Sequence, residues 1–220
     1  MQRYAPVGDT NRHGAKTVTS IDENTAERSS RGKSIVKHLF ATLEKSCVSL
    51  PVVFDVYVWL YRSVVANEID LGDVGPTDGV LNVGCGALPF TAALLAREAG
   101  VSVYALDQDE SVQSRARHHL ARAAVADRVE VVAGEGTAVD ATTTIPLAEV
   151  DVAVVAAQAE PKAEIVTTLR ELEDGPDRIV VRQPRSPFES EYGRLPDAFD
   201  PDGTTSQPTV TFGRSLLFEA

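Results

Sequence analysis

Two glycines and an aspartate carry the most chemical promise in this 220-residue chain. They lie in the stretch Val80–Asp107, VLNVGCGALPFTAALLAREAGVSVYALD. Gly84 and Gly86 let a backbone turn tightly and approach a ligand with no Cβ in the way. The loop opens onto a predicted helix, whose first turn offers unpaired N–H groups and the positive end of the helix dipole. Asp107 falls at the end of the next apolar run, where a carboxylate can accept both hydroxyls of a ribose. Three uses of such a stretch are open. A dinucleotide fingerprint, G-x-G-x-x-G, needs a third glycine for close helix–strand packing, and Pro89 stands in its place. A purely structural turn uses the glycines but gives Asp107 no task. The third use rests on a resemblance that needs the surrounding elements first.

Those elements follow from periodicity. Residues 1–33 are polar, lack apolar periodicity and read as a disordered lead. Ser34 can cap a helix whose apolar face is Ile35, Val36, Leu39, Phe40 and Leu43, and Pro51 ends or kinks it. A second helix fits 52–68, with Val53, Val56, Tyr57, Leu60 and Val64 on one side. Residues 34–72 thus read as a helical hairpin ahead of a domain spanning 73–220. In that domain Val80–Val83, Val101–Leu106, Val129–Ala133, Val150–Ala156 and Arg178–Arg182 read as strands. Helices over 89–99, 109–125 and 160–173 fill three of the four joints between them. Such alternation predicts an α/β fold with a doubly wound, mainly parallel sheet. The nearly unbroken apolar run at 150–156 predicts a central strand. Proline-rich 183–208 reads as a long loop, and 209–218 as a closing strand.

In this setting the chain resembles the class I AdoMet-dependent methyltransferase superfamily over about residues 75–182. VLNVGCG looks like that family's first motif, with Asn82 where an acidic residue is usual. Asp107 matches its ribose-binding acid. Gly134-Glu135 resembles the Gly-Asp pair whose acid contacts the adenine amino group. Ala157-Gln158 follows the fourth strand, where the family lines its transfer pocket. The resemblance implies a Rossmann-like fold with S-adenosyl-L-methionine as group donor. The implied contacts are Gly84, Cys85, Gly86, Asp107, Gln108, Glu135 and Gln158; no catalytic residue is implied.

Leu88 occupies the place of the family's third loop glycine. With it, Gly84-x-Gly86-x-Leu88-Pro89-x-Thr91 resembles the G-x-G-x-L-P-x-T loop of nicotianamine synthases. DVAVVAA, a lysine-containing helix and then IVVR look like the segment where that family carries an arginine. Tyr57, Tyr61 and Glu68 are candidates for the tyrosines and glutamate it places before the first strand. The chain is shorter than typical synthases. The two chemistries differ in the carbon attacked. A methyltransferase presents the methyl group and releases S-adenosylhomocysteine. A synthase presents the γ-carbon of the amino acid moiety to an amine and releases methylthioadenosine. Both depend mainly on proximity and orientation. Methyl transfer to a small molecule is the expectation, aminocarboxypropyl transfer the alternative, and a non-catalytic AdoMet-binding regulator a third.

Other residues carry weaker signals. His118 and His119 are adjacent on a helix, do not form a metal pair and are expected at the surface. Cys85 has no evident base and reads as loop filler; Cys47 is expected beside the hairpin. Trp59 and Phe54 are expected to pack onto the sheet. Arg182 and Arg185 could bind a substrate carboxylate or form surface ion pairs. Ala156-Ala157-Gln158-Ala159 lacks the Asn/Asp-Pro-Pro-aromatic signature of adenine, cytosine and glutamine-amide methylation.

Composition sets the outer bounds. With 32 acidic against 21 basic residues the formal charge is −11, which argues against a nucleic-acid partner. Arg3, Arg12, Lys16, Arg28, Arg31 and Lys33 outnumber the acids of the lead, so the rest of the chain is more acidic still. An acidic, arginine-over-lysine composition resembles that of cytoplasmic proteins from salt-accumulating halophiles. No apolar run reaches membrane-span length and no secretory signal is visible, so a cytoplasmic location is expected. A hydrophobic content of 43% suffices for a core. Oligomeric state is not legible.

Overall fold

The structure, a computed structural model, describes residues 51–219, apart from the side chains of residues 51–57 and Leu60. The expected disordered lead and the first arm of the hairpin lie outside the described residues. The second arm is helix α1, Pro51–Leu71. The alternating part follows as β1 (Gly79–Val83), α2 (Phe90–Glu98), β2 (Ser102–Asp107), α3 (Gln113–Arg122) and β3 (Val129–Ala133). Then come a short α4 (Val139–Thr142), β4 (Val152–Val155), α5 (Lys162–Glu171) and β5 (Arg178–Pro184). A short α6 (Glu189–Tyr192) and two last strands, β6 (Gly203–Ser206) and β7 (Phe212–Glu219), complete the chain.

The seven strands form one sheet in the order β3-β2-β1-β4-β5-β7-β6. The first five pair in parallel, and β7 runs antiparallel to both β5 and β6. This is the α/β Rossmann-like arrangement with a mainly parallel sheet. All four residues of β4 are buried, as the apolar run predicts for a central strand. Alternate strand positions feed two cores. Val80, Val103, Val131, Val154 and Val180 face one layer with Val65, Leu94 and Leu120. Leu81, Val83, Leu106, Val155 and Val181 face the other with Ile165, Val166 and Leu169 of α5. The strand order reverses direction between β1 and β4, and a crevice forms at such a switch point beyond the strands' carboxyl ends.

Four expectations are corrected. The loop over 183–208 holds the end of β5, α6 and all of β6; threonine and serine supply the strand, with no apolar run to announce it. Trp59 is 73% exposed, because the buried stripe of α1 runs through Val58, Val65 and Glu68 and leaves Trp59 off it. Arg182, expected at a substrate or at the surface, is buried. His119 is 4% exposed, sharing the buried side of α3 with Ala116 and Leu120. Its neighbour His118 is exposed as expected.

Burial, with His118, Arg122 and Arg115 nearby, pushes the His119 imidazole below its ordinary value. Below pH 6.5 the unfolded chain therefore binds more protons at this position than the folded one. Stability should fall as pH drops from about 6.5 toward the lowered folded value. In His119→Gln, chemical denaturation across pH 5–7 should show a shallower slope than in the parent.

Candidate functional site

The loop after β1 is shaped by its glycines. Gly84 has φ +80° and Gly86 φ +64°, both in the left-handed region that side chains avoid. A Cβ on Gly84 would sit 3.1 Å from that of Ala159, so the loop after β1 and the loop after β4 approach closely. The backbone N–H groups of Gly84 and Cys85 both donate to the Leu106 carbonyl, at 2.9 and 3.0 Å. The loop is thereby folded over the end of β2.

Asp107 closes this turn ionically. One carboxylate oxygen accepts the Gly86 N–H at 2.7 Å, the other the Asp109 N–H at 3.0 Å. Each oxygen keeps a further lone pair for an incoming donor. Around it lies a cleft of about 150 Å³, lined by Val83, Gly84, Leu106, Asp107, Gln108, Gly134, Gly136, Gln158, Ala159, Glu160 and Ile165. That volume is below the roughly 300–1,000 Å³ of pockets that enclose a whole ligand, so the cleft can grip one end of one. Its lining holds two carboxylates and no cation. A larger hollow, about 780 Å³, lies against the β2–β3 edge between Tyr104, Arg117, Arg128 and Glu130. It sits beside the strands' first halves, away from the switch point, and the glycine loop contributes nothing to it.

The structure thus brings together Gly84, Asp107, Gln108 and Gln158, whose Nε2 donates to the Gly84 carbonyl at 3.4 Å. Gly86 does not line the cleft, but its N–H is held by Asp107, which does. Glu135 is exposed between Gly134 and Gly136, so only its neighbours line the cleft. Cys85 is buried beneath the loop; burial first, then the negative charge of Asp107, pushes its thiol up to about 12. It is no thiolate nucleophile. Asn82 is buried and donates to the Val154 carbonyl at 3.2 Å, bridging β1 and β4.

Two charged groups escaped the sequence reading. Glu160 lines the cleft. Lys162, 3% exposed, donates through Nζ to the carbonyls of Ala157 and Tyr192. Burial lowers its pKa to about 8, although Glu160 opposes the shift. The available signals were the lysine-containing helix of the synthase resemblance and the place of that lysine in a helix's first turn, where the dipole disfavours cations.

The far side of the loop ends in a buried polar cluster. Glu68 and Arg182 pair bidentately, Nε to Oε1 at 2.8 Å and Nη2 to Oε2 at 2.7 Å. Arg182 Nη1 donates to Thr91 Oγ1 at 3.0 Å, and the Ser215 hydroxyl donates to Glu68 Oε1 at 2.8 Å. Phe212 lies under the guanidinium, 5.4 Å to its ring centroid. Burial opposes the Arg182 charge, but Glu68 outweighs it and the guanidinium pKa is raised. Tyr61 packs against Phe90 and Phe212 beside this pair, with ring centroids 4.4 and 6.1 Å away. Arg185 instead donates to the carbonyls of Thr209 and Gln207, holding a loop. Among the described residues no group of three or more His, Cys, Asp or Glu could hold a metal ion.

The sheet order and the glycine loop at its switch point define the class I methyltransferase-type Rossmann-like fold. Solved structures agree. MtNAS, in complex with MTA and tNA, is 26% identical with a TM-score of 0.61, over 73% of this chain and 60% of that one. An RNA methyltransferase from Salinibacter ruber, with S-adenosyl-L-homocysteine, is 22% identical with a TM-score of 0.52, over 70% and 90%. TrmN from Thermus thermophilus is 21% identical with a TM-score of 0.54, over 72% and 48%. The last two show the fold alone. The chain spans about three-fifths of the length of MtNAS. No family model matches this chain, and no curated protein does.

Breaking a buried ion pair strands a charge, which destabilises by about 3–5 kcal/mol. Arg182→Met should therefore lose that much in urea denaturation. The double variant Glu68→Leu, Arg182→Met should recover part of it.

Proposed function

We propose that this chain is an AdoMet-dependent transferase acting on a small-molecule acceptor, and that it moves the aminocarboxypropyl group. The observation that carries the reading is the loop Gly84–Thr91, seated at the switch point with Asp107 at its side and Leu88 buried in place of a glycine. This loop pattern resembles that of nicotianamine synthases, and MtNAS is such a synthase, one structure of which holds S-adenosylmethionine. The site residues fit such a donor. Asp107 has lone pairs left for vicinal ribose hydroxyls, the left-handed glycines keep Cβ atoms off the loop, and an anionic lining favours a sulfonium.

Bound AdoMet supplies a carbon activated by positively charged sulfur. Asp107 would hold the ribose, with Gln108 beside it. Gly134 and Gly136 would flank the adenine, with Glu135 at the rim, and Gln158 would face the transfer side. The acceptor nitrogen forms a bond to the γ-carbon as the carbon–sulfur bond breaks. The electron pair goes to sulfur, methylthioadenosine leaves, and the nitrogen gives its proton to solvent. Holding the two in line is the main contribution asked of the protein.

Methyl transfer is the second reading. It is favoured by the superfamily's marks standing in order at Gly84, Asp107, Gly134-Glu135 and Gln158. Calorimetry in high-salt buffer should detect AdoMet binding, and Asp107→Ala should weaken it at least about tenfold, the loss of a hydrogen bond to a charged group. With candidate amine acceptors, mass spectrometry should find methylthioadenosine; S-adenosylhomocysteine in its place would select methyl transfer. No AdoMet binding in the parent would overturn both.

A further inference from the structure

The two carboxylates of the cleft differ in how the protein uses them. Asp107 spends both oxygens on backbone N–H groups, which draw on its negative charge. Glu160 lines the same cleft and is exposed, and its carboxylate takes no hydrogen bond or ion pair from the described residues. It is nonetheless confined on one side by Gly193, which has φ +53°. A Cβ there would lie 2.8 Å from Glu160 Oε1 and 3.1 Å from the carboxyl carbon, so only a glycine leaves the carboxylate room. Lys162 staples the two segments together. Its Nζ donates to the carbonyl of Ala157, after β4, and to that of Tyr192, the residue before Gly193. The Lys162 ammonium lies near enough for Glu160 to favour its charged form. It is engaged by carbonyls and forms no ion pair with Glu160, which keeps its charge for a ligand.

AdoMet, on whose binding this proposal rests, carries a sulfonium bonded directly to the 5′ carbon of its ribose. Its α-ammonium lies farther along the amino acid chain. A cleft of about 150 Å³ that holds the ribose through Asp107 therefore reaches the sulfonium first. The ribose hydroxyls are neutral donors and suit a carboxylate already placed by hydrogen bonds. A sulfonium has no N–H or O–H to donate, so only an opposite charge can recognise it. We propose that Glu160 is the specificity-determining residue that recognises the sulfonium charge of AdoMet and favours the charged donor over the neutral thioether left after transfer. S-adenosylhomocysteine and methylthioadenosine are both neutral at sulfur, so the preference holds whichever group moves. Transfer removes the positive charge from sulfur, and with it the attraction that held the donor, which eases product release.

The test compares AdoMet with S-adenosylhomocysteine, which keeps the amino acid end and lacks the sulfonium, by calorimetry on three proteins. The lowest salt that keeps all three folded is used, because salt screens an exposed charge. Glu160 is exposed and without a protein partner, so its substitution leaves the fold intact. In Glu160→Gln, AdoMet affinity should fall about fivefold, the scale of an exposed ion pair, while S-adenosylhomocysteine affinity stays within about twofold. Glu160→Asp keeps the charge and should lose less AdoMet affinity than Glu160→Gln does. Equal weakening of both ligands in Glu160→Gln would mean that the carboxylate reads the ammonium or only shapes the cleft, and would overturn the proposal. No change in either ligand would do the same, as would a loss in Glu160→Asp as large as that in Glu160→Gln. Absence of AdoMet binding by the parent protein is a separate outcome, which overturns the AdoMet reading and this proposal with it.

Discussion

A carboxylate and a guanidinium, both out of contact with water, hold the functional end of this molecule together. Glu68 comes from α1, Arg182 from the end of β5, Thr91 from the start of α2 and Ser215 from β7. Four elements thus meet in one hydrogen-bonded cluster at the carboxyl edge of the sheet. Desolvating two charges is expensive, and a buried pair often contributes less net stability than apolar residues of the same size. Its value lies in geometry. The fork of Arg182 satisfies the carboxylate bidentately and leaves one direction for Thr91, so α1, α2 and β5 are kept in one register. The aromatic rings of Phe212, Tyr61 and Phe90 close over it and keep the local dielectric low.

The cleft is a product of topology in the same sense. No single segment contains it. Gly84 follows β1, Asp107 ends β2, Gly134 and Gly136 follow β3, and Gln158 and Glu160 follow β4. Parallel pairing places all four carboxyl ends along one edge, and the reversal between β1 and β4 opens the space between them. Electrostatics then narrow what can bind. The nearby cations are already engaged, Arg182 by Glu68 and Lys162 by two carbonyls, so the lining presents carboxylates. Such a surface suits a sulfonium or an amine better than an anion.

Much of this was legible locally. Strands recur where Val, Leu and Ala run together, and Gly84 and Gly86 adopt the positive φ that their lack of a Cβ suggested. Asp107 stands where a strand end and a helix start leave N–H groups to be accepted. Three of the corrections share one cause. Trp59, His119 and Arg182 were judged by residue type, while burial was decided by which helix stripe or sheet face each one occupies. β6 was invisible because a strand of Gly, Thr and Ser that alternates half-buried and exposed residues gives no apolar signal.

The sequence by itself therefore determined the alternating elements, the turn at Gly84–Gly86 and the acid that stands beside it. Each depends on side chains within a window of a few residues, or on one backbone angle. Tertiary structure alone decided that Arg182 is a structural cation, that burial pushes the Cys85 thiol up, that Lys162 is buried against two carbonyls and that Glu160 lines the cleft. Glu68 and Arg182 are 114 positions apart, Gln158 and Gly84 74. Such contacts exist only once the sheet has set its strand order, because burial and partner choice are properties of the whole packing and not of any segment.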